Sequence, residues 1–159
     1  MIRIEQIMAH PLYIKAMAGI QDAEQERIFC RHGLEHCLDV ARILYIMVLE
    51  QQLDYDKEVI YAAALLHDVG RYEEYIQQIS HHEAGIRMSG EILAACNFTE
   101  NEKMMILQAI GDHKEYDEKG QEFSRLLYRA DKWSRGCYAC KAREDCYWEE
   151  ERKNSTIIY

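Results

Sequence analysis

An imidazole and a carboxylate stand side by side in Leu65-Leu66-His67-Asp68-Val69-Gly70, with His36 about thirty residues upstream and Asp131 about sixty downstream. Two histidines and two aspartates so arranged could make a four-ligand metal site. Adjacent residues of a helix diverge by about 100°, so His67 and Asp68 can reach one ion only where a helix is ending. Gly70 is placed to end it. Taken alone, the pair reads as well as a core histidine bonded to a carbonyl beside an aspartate that caps a neighbour. The other positions change that balance. His113 follows Ile106 and Ile110 at seven and three residues, which puts its ring on an apolar face, and Asp131 follows Leu127 at four. A carboxylate among apolar neighbours is costly unless a cation pairs with it.

The elements that must position these groups read as helices. From Leu34 to Gln52, Val40, Ile43, Leu44, Met47 and Val48 recur at three-and-four spacing, with His36 four residues before Val40 on the inward face. Lys57 to Val69 is apolar around most of its circumference, which predicts the central buried helix. Residues 82–97 carry Ile86, Ile92, Leu93 and Cys96 at helical spacing. Thr99 with Glu102 three residues on reads as a capping box that opens a helix through about Gly111. Phe123 to Trp133 presents Leu126, Leu127, Ala130 and Trp133. The run Glu149-Glu150-Glu151-Arg152-Lys153 reads as a solvated, partly frayed tail.

With 159 residues, one Pro and eight Gly, the chain suits a single all-α helical bundle, able to bury a core without crosslinks. No repeat, low-complexity tract or linker divides it. No apolar run approaches the ~18 residues of a membrane span, and the first residues lack the apolar core of a signal peptide. The expectation is a cytoplasmic protein that does not engage membrane. In that reducing setting six cysteines are thiols or metal ligands rather than a disulfide framework. A formal net charge of −9 argues against binding extended nucleic acid. An anionic substrate would need local positive charge, from a divalent metal and from Arg71, Arg129, Lys132 or Arg135.

Three separated matches in order, Glu35-His36-Cys37-Leu38-Asp39-Val40-Ala41, the His67-Asp68 doublet and Arg129-Ala130-Asp131-Lys132, make the chain similar to the HD superfamily of metal-dependent phosphohydrolases. The resemblance runs from about residue 26 to about 135, leaving a cysteine-bearing extension over about 136–159. It implies an HD-domain helical bundle in which His36, His67, Asp68 and Asp131 ligate one metal. For members with two metals it implies two further histidines, here His81, four residues before Gly85, and His113, with Asp68 as the bridging ligand. His82 competes with His81, and His32, one turn before His36, competes as the upstream ligand. Mixed carboxylate and imidazole donors suit Mn, Fe, Co, Ni or Zn better than Mg. The implied reaction is attack of metal-activated water on the phosphorus of a nucleotide or other small phosphate ester. Asp68 would orient that water, and Arg71 and Lys132 are candidates to contact phosphate. The same ligand set also resembles the di-iron branch of the superfamily that uses dioxygen. A non-catalytic, metal-stabilised domain binding a nucleotide or a partner is the third reading.

Cys137-Tyr138-Ala139-Cys140 with Cys146 is a thiol cluster outside the HD core, and Cys30 could approach it if the segments bearing His36 and Asp131 meet. These four read as a second metal site, a structural zinc or an iron–sulfur cluster, although the spacing fits no standard zinc-finger or ferredoxin pattern. Ordinary reduced thiols are the alternative. Cys37 and Cys96 read as small core residues, and Tyr138, Tyr147 and Trp148 as aromatics packing the tail.

Overall fold

A computed structural model describes residues 1–113 and 116–159. Its helices are α1 (Ile2–Ala9), α2 (Pro11–Ala23), α3 (Leu34–Glu50), α4 (Lys57–Leu66), α5 (Arg71–Gln77), α6 (His81–Ala94), α7 (Glu100–Asp112) and α8 (Glu122–Trp133), followed by 3-10 turns at Cys137–Ala139 and Glu150–Arg152. There is no strand among the described residues, so the protein is all-α.

The helix with the most uniformly apolar sequence lies deepest. Val59, Ile60, Ala62, Ala63, Ala64, Leu65 and Leu66 of α4 are all buried. Three consecutive alanines keep its girth small, and α1, α3 and α7 pack directly on it. The α8 helix closes the bundle against α3 and α7, while α2, α5 and α6 form a second group. Asp56 caps α4 by accepting from the amides of Glu58 and Val59 at 2.8 and 3.3 Å. Thr99 and Glu102 form the reciprocal box at the start of α7.

Five helices follow the sequence pattern; α1, α2 and α5 lay outside it. Pro11 occupies the first turn of α2, and Nδ1 of His10 accepts from the amide of Leu12 at 3.2 Å, a cap made by a residue outside the usual set. The α5 helix is seven residues long, and Gln78 ends it with φ of 57°.

Two expectations are corrected here. Gly70 does not end α4 in a left-handed turn: its φ is −67° and it opens α5. Glycine is required by space, since a Cβ there would lie 2.0 Å from the carbonyl oxygen of His81 and 2.4 Å from the amide nitrogen of Gly85. The backbone of α6 passes directly over the His67-Asp68 turn. Nor is the charged run 149–153 simply solvated. Lys153 is buried, and its Nζ donates to the carbonyl of Arg143 at 3.0 Å and to Glu150 at 2.6 Å. No helix among the described residues is long and apolar enough to cross a membrane.

Candidate metal centre

His36 comes from the first turn of α3, His67 and Asp68 from the turn after α4, His113 from the C-terminal end of α7 and Asp131 from the last turn of α8. All five are buried. Nε2 of His67 lies 3.2 Å from Oδ2 of Asp68 and 3.8 Å from Oδ1 of Asp131, and Nε2 of His36 lies 3.8 and 3.2 Å from the same two oxygens. On the other side of Asp68, Oδ1 stands 3.7 Å from Nε2 of His113. The Asp68 carboxylate thus has one oxygen toward His36 and His67 and the other toward His113.

The rings are oriented from behind. Nδ1 of His67 donates to the carbonyl of Ala64 at 2.7 Å, and Nδ1 of His113 to that of Ile110 at 2.5 Å. Nδ1 of His36 faces Oγ of Ser134 at 3.2 Å, and that hydroxyl gives its own proton to the carbonyl of Asp131 at 2.7 Å. With each Nδ1 carrying the proton, each Nε2 presents a lone pair to the centre. Nε2 of His67 is buried and makes no hydrogen bond among the described residues. A buried nitrogen lone pair and two buried carboxylates facing one space are the donor set a divalent transition metal requires. His36, His67 and Asp68 bring one donor atom each within 4.8 Å of one another.

A second group of the same kind comprises His81, His82 and His113. Both His81 and His82 reach His113, with ring centroids 5.8 and 4.7 Å from it, so both competing histidines come to this side of Asp68. His81 is held by Glu74, whose Oε1 accepts from Nδ1 at 2.9 Å. That contact places an oriented carboxylate behind the ring. His32 is otherwise engaged: it is buried, its Nδ1 bonds Glu24 at 2.5 Å and its amide bonds the same carboxylate at 2.7 Å.

The charges follow from this packing. Burial alone would raise the carboxyl pKa of Asp68 and Asp131, yet both are held well below the ordinary range, Asp68 by His67 and Arg71 and Asp131 by His36, His67, Arg135 and Lys132. Burial pushes His36 down to about 4. It pushes His67 the same way, but the two carboxylates prevail and carry that ring up to about 9, so without a cation a proton sits on Nε2 between them, and a metal would bind there by displacing that proton and taking the lone pair.

Arg71 and Lys132 each grip a carboxylate of the centre, Arg71 Nε to Asp68 Oδ1 and Lys132 Nζ to Asp131 Oδ2, both at 2.7 Å. Arg135 donates to Asp131 at 3.1 Å and to Nε2 of His36 at 3.0 Å. These cations also line a cavity of about 360 Å³ beside Asp131, whose wall continues through His32 to Cys30, Cys137, Cys140 and Cys146. Of the three aromatics expected to pack the tail, Tyr147 and Trp148 line this cavity, and Tyr147 is exposed. Sequence reading missed Ser134, Glu74 and Glu24, because what they hold is fixed only by tertiary approach.

The sequence model of the HD domain family matches residues 33–136. An uncharacterised protein of Clostridium beijerinckii is 40% identical over all 159 residues and its own full length. Ribonuclease Y of Mycoplasma mycoides is 30% identical over 128 residues, which is 80% of this chain and 28% of that protein. No solved structure matches.

Proposed function

The chain belongs to the HD domain family, whose members bind divalent metals and are generally metal-dependent phosphohydrolases, and from that premise we propose that it hydrolyses a small phosphate ester, foremost a nucleotide. The observation that carries this reading is the placement of Asp68, with one oxygen toward His36 and His67 and the other toward His113. His36, His67, Asp68 and Asp131 would hold one ion, and Asp68 with His113 and His81 or His82 a second.

A divalent metal bound there supplies Lewis acidity toward phosphoryl oxygens and lowers the pKa of a water toward neutrality. The chain's own groups do the rest. Asp68, whose pKa lies well below the ordinary range, stays ionised at neutral pH, so it orients a water as a hydrogen-bond acceptor rather than storing its proton. Arg71 and Lys132 neutralise the two carboxylates and, because both also line the cavity, are positioned to meet a phosphate there. Tyr147 and Trp148 on the same wall offer aromatic faces to a base or sugar.

The test is phosphate release by protein loaded with Mn²⁺, Co²⁺ or Ni²⁺ under argon, across mononucleotides, dinucleotides and sugar phosphates. Hydrolysis is expected, falling to background in Asp68→Ala with helical content retained. Failure on the whole panel by fully metal-loaded protein, or turnover only when dioxygen and iron are supplied, would overturn the proposal.

A further inference from the structure

Four of the six cysteines leave the core and meet. Cys37 and Cys96 are buried among apolar side chains, whereas Cys30, Cys137, Cys140 and Cys146 line one cavity although Cys30 is more than a hundred residues from the others. All four are free thiols. The approach is built into the backbone. Arg135 donates to the carbonyl of Arg31 at 3.3 Å, joining the segment before α3 to the segment after α8. Arg27 holds the carbonyl of Cys30 at 2.8 Å, and Arg143 holds that of Cys137 at 3.2 Å. The 3-10 turn at Cys137–Ala139 closes with the amide of Cys140 on the carbonyl of Cys137 at 3.3 Å, which turns those two residues toward one side.

We propose that Cys30, Cys137, Cys140 and Cys146 ligate an iron–sulfur cluster next to the HD centre. Spacing favours a cluster over one zinc ion. Four thiolates on a single zinc at about 2.3 Å stand within about 4 Å of each other. Here the four cysteines instead line the wall of a cavity of about 360 Å³, room for a body far larger than one ion. Sulfurs that surround a body larger than one ion are held apart in this way, because a cluster's own iron and sulfide lie between its cysteines.

Charge points the same way. Ligating cysteines are thiolates, so a four-thiolate centre carries negative charge into a half-buried site. Four ionised sulfurs around one cavity repel one another and need positive charge to stay together. Arg27 and Arg143, which hold the carbonyls of Cys30 and Cys137, line the cavity together with Arg152 and Lys153, in a chain whose acids outnumber its bases, while Arg71 and Lys132 are engaged with Asp68 and Asp131 and remain for the HD centre. The cluster would also tie together the two segments that carry His36 and Asp131, since Cys30 lies six residues before the one and Cys137 six after the other.

Anaerobic purification followed by assay of iron, zinc and acid-labile sulfide tests this, and sulfide is the decisive readout because the HD centre can bind iron but holds no sulfide. Expected are about four sulfides per chain for a cubane-type cluster, with a visible absorption bleached by dithionite. Sulfide should be lost in Cys137→Ser and Cys146→Ser and kept in Cys96→Ala. Zinc without sulfide, or simultaneous alkylation of all four thiols in the native anaerobic protein, would overturn the proposal. Should the serine variants not fold, the sulfide content of the unaltered protein still decides.

Discussion

Three imidazoles offer Nε2 to the same space because each Nδ1 is already engaged, two by carbonyls of their own helices and one by Ser134. A ring fixed in this way keeps its tautomer and angle before any ion arrives, and loss of such support typically weakens metal affinity 10–100-fold. Ser134→Ala is therefore expected to bind Mn²⁺ about tenfold more weakly by calorimetry, with unchanged circular dichroism. Equal affinity in the two proteins would remove Ser134 from the positioning set. Glu24 supports the neighbourhood differently. Burial would raise its carboxyl pKa, but hydrogen bonds from His32 and Tyr75 lower it from 4.5 to about 2. Because the folded value is depressed, the unfolded chain binds the extra proton. The contribution to stability is then complete above pH 4.5 and lost as pH falls toward 2. The gap in melting temperature between the natural protein and Glu24→Gln should narrow across that window, and a gap constant with pH would show that ionisation of Glu24 contributes nothing. The contrast with the ligands is instructive. His67 and Asp68 were legible because they adjoin each other at the end of an apolar helix, and His113 because it continues a stripe; Glu24, Glu74 and Ser134 carry no periodic or motif signature.

At the scale of elements, the amphipathic helices α3, α7 and α8 were readable because burying one face repeats every three or four residues, and α4 because it is apolar nearly all round. The seven-residue α5 is too short to show a period, and α2 depends on an uncommon cap. The Gly70 turn shows the limit most clearly. Sequence placed a glycine where a helix should stop, while packing uses it to let α6 pass over the His67-Asp68 turn. Gly70→Ala puts a Cβ against backbone rather than a movable side chain, so α6 must shift. Overpacking of this kind costs about 1–3 kcal/mol or more. Because α6 carries His81 and His82, the substitution should also weaken any second ion more than the first. Calorimetric titration would reveal this as selective loss of the weaker binding step, and an unaltered melting temperature would contradict the packing account.

The whole molecule separates its charge. Net charge is −9, yet the cavity beside Asp131 gathers seven cationic side chains, among them Arg71 and Lys132 at the HD centre, where the proposed reaction would bring a phosphate. On the proposed reading a small substrate enters that opening and presents little charge to the remaining surface. A long RNA would also lay its flanking phosphates against a chain of net charge −9, which on the proposed reading disfavours it. The relative named Ribonuclease Y shares only 28% of its length with this chain, so the rest of that protein has no counterpart in the comparison. Hydrolysis at low salt is accordingly expected to favour a dinucleotide over a polymer of the same sequence in kcat/KM by at least about tenfold. Raising salt from about 0.05 to about 0.5 M should increase KM for the small substrate several-fold by screening the cavity cations. Lys132 is the cation to probe, since it meets both Asp131 and the cavity, and Lys132→Met should flatten that salt dependence. A polymer cleaved as efficiently as the dinucleotide, or a KM indifferent to ionic strength, would show that substrate does not enter through this opening.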